Sequence, residues 1–148
     1  MAKNKRFEVI EHTADIGIKV HGNNVPELFE NTALGMFSLL TDLKKIKPEL
    51  KFEINVDGSD REDLLANWLN DLVYLHTSKG IVLCEFNVTS YRKIKNRSRQ
   101  FSLTAELAGQ KMDFDRTPMR FEIKAATRHE LSVAKEVGGY STRVIFDI

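Results

Sequence analysis

The chain has 148 residues, a formal net charge of +1, 42% hydrophobic residues and 29% charged residues. This size and balance predict one folded domain spanning residues 1–148 and exclude a disordered chain. Near-neutral charge excludes a globally basic nucleic-acid binder, and no apolar run approaches the roughly 18–20 residues of a membrane span. No apolar signal segment follows the basic start Met1 to Arg6, so a cytoplasmic location is expected. Cys84 is the single cysteine. It lies in an apolar strand pattern, which predicts a buried, inert thiol and neither a disulfide nor a cysteine zinc site.

Taken in order, Phe7 and Val9 alternate with Glu8, and Ile16, Ile18 and Val20 alternate with Gly17 and Lys19. Both runs have the period of half-buried strands. The turn between them, Glu11-His12-Thr13-Ala14-Asp15, crowds two carboxylates, an imidazole and a hydroxyl together. Loops held on a rigid scaffold are where function concentrates. Asn24 can cap a helix over about 25–41, with Pro26 in its first turn and Leu28, Phe29, Ala33, Met36, Phe37 and Leu40 on one stripe. A lysine-rich connector leads to a strand with Phe52, Ile54 and Val56 alternating.

Ser59-Asp60-Arg61-Glu62 has the form of a capping box with Ser59 as the cap. The second helix carries Leu64, Leu65, Trp68, Leu69, Leu72, Val73 and Leu75 and stops at Gly80. Beyond Gly80 the chain reads as strands. Arg92 to Arg99 holds five basic residues in eight and reads as a hairpin tip, either solvated or an arm for RNA or an acidic partner. Its only flanking aromatic is Tyr91. Asp113 and Asp115 share a face if that segment is a strand. Phe121, Ile123 and Ala125 face one way on the next strand, leaving Lys124 on the other side. Gly138-Gly139 turns the chain into a last strand over 140–148. This order predicts an α+β fold: a mostly antiparallel sheet or two-sheet sandwich with two amphipathic helices packed on one side.

The chain contains no glycine-rich phosphate loop, Gly-x-Ser-x-Gly elbow or His-Glu-x-x-His helix. His12, His21, His76 and His129 are scattered, so spacing does not favour zinc. The acidic cluster Asp57, Asp60, Glu62 and Asp63 lacks calcium-loop spacing and suits helix capping. At the far end, Asp147 precedes the main-chain carboxylate of Ile148. If Asp15 approaches them, hard oxygen donors converge that suit calcium, magnesium or manganese. Spacing alone leaves open whether these ends meet.

Three stretches in this order, His12-Thr13-Ala14-Asp15-Ile16-Gly17, Lys124-Ala125-Ala126-Thr127-Arg128-His129 and Val144-Ile145-Phe146-Asp147-Ile148, closely resemble the archease family. The family pattern has tyrosine where this chain has Arg128, a change expected to alter a surface contact and no ion ligand. The resemblance implies a metal-binding accessory protein, not an enzyme. Its partner would be an RtcB-type RNA ligase, whose guanylylation and turnover it promotes in tRNA splicing and RNA repair. An alternative within the family is a chaperone-like role toward tRNA or a tRNA methyltransferase. Asp15, Asp147 and Ile148 would then hold the ion, calcium foremost, and Lys124 would be the functional contact with the ligase. His12 and His129 are expected either to orient the carboxylates or to be buried, hydrogen-bonded histidines. A further alternative is a metal-dependent hydrolase with His12 as general base.

Overall fold

The computed structural model describes residues 6–11, 15–96, 98 and 100–148. Its elements in chain order are β1 (Phe7–Glu11), β2 (Asp15–Gly22), α1 (Val25–Leu40), β3 (Leu50–Gly58), α2 (Arg61–Lys79), β4 (Ile81–Lys93), β5 (Phe101–Lys111), β6 (Ala125–Ala126), β7 (Val133–Glu136) and β8 (Gly139–Asp147). Strands β1-β2-β8-β6 form one sheet, with β7 also paired to β8, and β3-β5-β4 form a second. Every pairing is antiparallel. This is the α+β class expected from the element order.

Both helices start at the same kind of junction. A strand ends in glycine, one residue follows, and then a side-chain acceptor caps the helix. At α1, Asn24 Oδ1 accepts from the Glu27 amide at 2.9 Å and Glu27 Oε1 accepts from the Asn23 amide at 3.2 Å. At α2, Asp60 Oδ1 accepts from the Asp63 amide at 2.7 Å and Asp63 Oδ2 accepts from the Ser59 amide at 2.9 Å. The second capping box is therefore shifted by one residue from the expected Ser59–Glu62 pair. Asp60 is the cap because the path of the chain from Gly58 sets its carboxylate, and not the Ser59 hydroxyl, at the free amide of Asp63. Gly22 and Gly58 let the chain turn so tightly that a Cβ at either would sit 2.4 Å from the amide nitrogen of Leu28 or Leu64. Gly80 stops α2 in the left-handed region at φ 68°.

Each helix touches strands of both sheets, and the two helices touch each other. The apolar stripes thus meet one shared core that includes Ile18, Phe29, Phe37, Trp68, Leu72, Leu103 and Phe146. Trp68 is fully buried and donates its indole N–H to the Phe29 carbonyl at 3.0 Å, tying α2 to α1. His76 is buried too, its Nδ1 2.7 Å from the Ile81 carbonyl oxygen and its ring edge-on to Phe37. Cys84 is half-buried, and burial together with Glu85 pushes its thiol pKa up, which suits the inert role expected for it.

One expected strand is corrected, and one conditional reading is decided. The segment around Phe121 to Ala125 pairs only at Ala125–Ala126. Before that the Arg120 amide bonds to the Leu40 carbonyl at 2.7 Å, drawing the chain onto the end of α1 and away from β8. Ile123 and Ala126 are the buried positions, three apart, so the period of two fails and Phe121 is left exposed. The Met112–Asp115 segment is a turn, not a strand face. Asp113 accepts from the amides of Asp115 and Arg116, both at 3.2 Å, and pairs with the Arg116 guanidinium at 3.7 Å.

Candidate metal centre

β2 and β8 pair over Asp15–Gly22 and Tyr140–Asp147, so an early and a late segment of the chain meet. Their register sets Asp15 directly opposite Asp147. Ile16, Ile18, Val144 and Phe146 point into the core. Strand alternation therefore turns Asp15 and Asp147 to the other face, where directly opposed Cβ atoms lie about 4.5–5.5 Å apart. On the far side of β8, Ala125 is also in register with Asp147. The Lys124 amide donates to the Asp147 carbonyl at 2.8 Å, and the Thr127 amide donates to the Ile145 carbonyl at 2.8 Å. Lys124 itself is exposed. The structure thus brings Asp15, Asp147, Ile148 and the Lys124 backbone to one end of this sheet.

Asp15 Oδ1 is buried and has no hydrogen-bond partner among the described residues. A buried carboxylate oxygen left unpaired costs about 1–3 kcal/mol or more. An oxygen-seeking cation would remove that cost, so the donor set fits a hard divalent ion. Among the described residues no group of three His, Cys, Asp or Glu side chains is arranged to hold an ion. The third donor in the expected set is accordingly the Ile148 main-chain carboxylate.

The expected histidine partners fare differently. His12 lies outside the described residues. His129 is 70% exposed, with Nε2 at 3.8 Å from Glu130 Oε1, so it sits at the surface beside that carboxylate. His21 Nδ1 lies 3.6 Å from Glu136 Oε2. The three described histidines therefore each have a separate environment.

Asn70 was not singled out by the sequence. It bonds both main-chain groups of Ala126, accepting from N at 2.9 Å and donating to O at 3.1 Å. The available signal was its place with Asp63 and Asn67 on a polar stripe of an otherwise core-forming helix. Arg128 donates to Asp63 Oδ1 at 2.8 Å and to Asn67 Oδ1 at 3.0 Å, the surface contact expected to change at that position.

At the opposite end of β8, where Tyr140 pairs with Gly22, Arg61 links β8 to the start of β5; Arg97 and Arg99 of the basic run lie outside the described residues. Tyr91 stacks on Phe101 at 6.1 Å, and Arg61 lies over Phe101 and Tyr140 at 5.9 and 5.5 Å. Tertiary folding thus adds Tyr140, from a distant part of the chain, to the aromatics beside the basic run. Arg61 also donates to the Tyr91 hydroxyl at 3.2 Å, which raises the guanidinium pKa further.

The model of the archease protein family matches residues 7–148. The chain belongs to the archease family. A protein archease of Methanosarcina barkeri is 37% identical over 147 residues, covering 99% of both chains. One from Pyrococcus furiosus is 34% identical over 131 residues, 88% of this chain and 89% of that one. The solution structure of Methanobacterium thermoautotrophicum protein 1598 superposes with TM-score 0.79 at 28% identity, covering 97% of this chain and 99% of that one. A Thermotoga maritima crystal structure, described as an archease and possible chaperone, gives TM-score 0.58 at 25% identity over 100% of this chain and 98% of that one.

The Asp63 carboxyl is held below its ordinary pKa, first by the Ser59 amide and then by Arg128. Its stabilising effect is therefore present above the ordinary aspartate range and is lost as pH falls through the lowered folded value. Asp63→Ala is expected to cost about 1 kcal/mol at neutral pH, the usual scale of a helix cap. Urea denaturation at pH 7 and below about pH 3 checks this, because the gap between variant and wild type should close at low pH.

Proposed function

We propose that this chain is a metal-binding accessory protein that activates an RtcB-type RNA ligase, promoting the ligase's guanylylation and turnover in tRNA splicing and RNA repair. The observation that carries the reading is the register of Asp15 opposite Asp147, with Asp15 Oδ1 buried and without a hydrogen-bond partner among the described residues. Asp15, Asp147 and the Ile148 carboxylate would hold a divalent ion, calcium foremost and magnesium or manganese next. When bound, the ion supplies a fixed positive charge at the tip of the sheet. Lys124, exposed and tied through its amide to the Asp147 carbonyl, would offer an ammonium suited to a nucleotide phosphate or an acidic group of the ligase. Such a cluster brings charge to a partner's active site without a nucleophile of its own, in keeping with a helper and not a stand-alone enzyme. We place its work in the cytoplasm. No helix among the described residues is long and apolar enough to cross a membrane.

RNA ligation by the cognate ligase under substrate excess tests the reading. Added chain should raise turnover, and Lys124→Ala should remove the gain while leaving the fold intact. No gain from the wild-type chain would sink it. A second reading, chaperone-like support of tRNA or of a tRNA methyltransferase, is favoured only by the description of the Thermotoga maritima relative. It predicts suppressed aggregation of that partner without any dependence on Asp15.

The Ile148 carboxylate has its own test. Extending the chain past Ile148 converts that carboxylate to an amide and removes a formal charge. Ca2+ affinity measured by calorimetry should fall about tenfold to a hundredfold, the scale of a lost charge-assisted contact. Unchanged affinity would remove Ile148 from the ligand set.

A further inference from the structure

α2 is apolar where it meets the core, but Asp63, Asn67 and Asn70 fall at i, i+4 and i+7 and form one polar stripe. Every member of that stripe grips the same stretch of chain. Asp63 and Asn67 accept from the Arg128 guanidinium. One turn further along the helix, Asn70 accepts from the Ala126 amide at 2.9 Å and donates to the Ala126 carbonyl at 3.1 Å. A carboxamide is the side-chain group of this length that offers a donor and an acceptor together. It satisfies both main-chain groups of one residue, as a neighbouring strand does in an antiparallel ladder.

That residue lies in the weakest strand of the fold. β6 is only Ala125–Ala126 and lies at the edge of its sheet. So short an edge strand is poorly specified by its own ladder. Its inner side is tied to β8 through the Lys124 and Thr127 amides. Its outer side would be open without α2. The lateral position of Lys124 along the Asp147 main chain therefore depends on what holds Ala126 from outside.

We propose that Asn70 is a positioning residue of the metal centre, its carboxamide standing in for a further strand so that β6 holds Lys124 against Asp147 beside Asp15. The proposal rests on the metal reading given above. Asn70 acts through Ala126.

The test uses the full chain with Asn70→Ala and Asn70→Asp, and Ca2+ alone as the probe. Amide hydrogen exchange is followed without ions, and Ca2+ affinity is measured by calorimetry. Asn70→Ala should speed exchange at the Lys124, Ala126 and Thr127 amides while β4 and β5 keep their protection. It should also lower Ca2+ affinity about tenfold or more, as loss of supporting contacts to metal ligands does. Asn70→Asp keeps the acceptor for the Ala126 amide but loses the donor, so it should fall between wild type and Asn70→Ala. It also carries the test if the alanine variant fails to fold. Unchanged exchange at Lys124 overturns the proposal, and so does faster exchange with unchanged affinity. A wild-type chain that takes up no Ca2+ overturns the metal reading itself, an outcome separable from wild-type binding that Asn70→Ala leaves intact.

Discussion

Asp15→Asn should cut ion-dependent stabilisation and ligase activation sharply while leaving the ion-free protein at least as stable as wild type. The two halves of that expectation come from the same atom. Asp15 Oδ1 is buried without a partner among the described residues, so in the ion-free chain the carboxylate is a liability. An amide of the same shape removes the formal charge from this half-buried side chain and so lowers its desolvation cost. With ion present the balance reverses. A ligand at about a hundred times its Kd stabilises the folded state by about 2.7 kcal/mol, and the variant forfeits about half of this or more. Affinity should fall about tenfold to a hundredfold, matching the roughly 1.5–3 kcal/mol of a charge-assisted contact. Thermal melts with chelator and with Ca2+, set beside ligation assays under substrate excess, read both halves. A variant that melts lower than wild type in chelator would mark Asp15 as a structural residue. A variant that keeps the Ca2+ shift would exclude it as a ligand.

Trp68→Ala should have the largest effect on stability. Trp68 is fully buried at the meeting of α1 and α2, and its indole N–H satisfies the Phe29 carbonyl. Truncation removes the largest fully buried side chain and leaves a cavity bounded by both helices. The expected cost is about 3–5 kcal/mol, a sizeable part of the roughly 5–15 kcal/mol that holds a domain folded. Trp68→Phe keeps much of the volume and should cost less. Trp68 is the only tryptophan, so urea unfolding must be followed by far-ultraviolet circular dichroism. A loss below about 1.5 kcal/mol would show that the core closes around the gap, against the close packing that interiors maintain.

Both helices were legible in the sequence, because a stripe with a capping residue is a local signal. Asn24, Pro26 and Gly80 mark ends that the structure keeps at Val25–Leu40 and Arg61–Lys79. The choice of Asp60 over Ser59 as cap was not legible, since both residues can accept and only the path of the chain from Gly58 decides between them. β6 was misjudged in extent for a related reason. Alternation at Phe121, Ile123 and Ala125 is necessary for a strand, but a strand also needs a partner, and Arg120 is already bonded to Leu40.

The candidate site divides along the same line. The sequence by itself determined the α+β class, the two helices and the kinds of atoms on offer: Asp15 at one end, Asp147 and the Ile148 carboxylate at the other, and Lys124 before its short strand. It determined these because period, capping and ligand chemistry are properties of near neighbours and of residue type. Only the tertiary structure decided that Asp15 stands opposite Asp147, that Lys124 is tied to the Asp147 carbonyl, and that Asn70 braces β6 from a helix. These are pairings across distant parts of the chain. They are set by the register of β2 on β8, which depends on which faces Ile16, Ile18, Val144 and Phe146 bury together, and a slip of one residue in β2 would put Asp15 on the face of the core and Asp147 on the other.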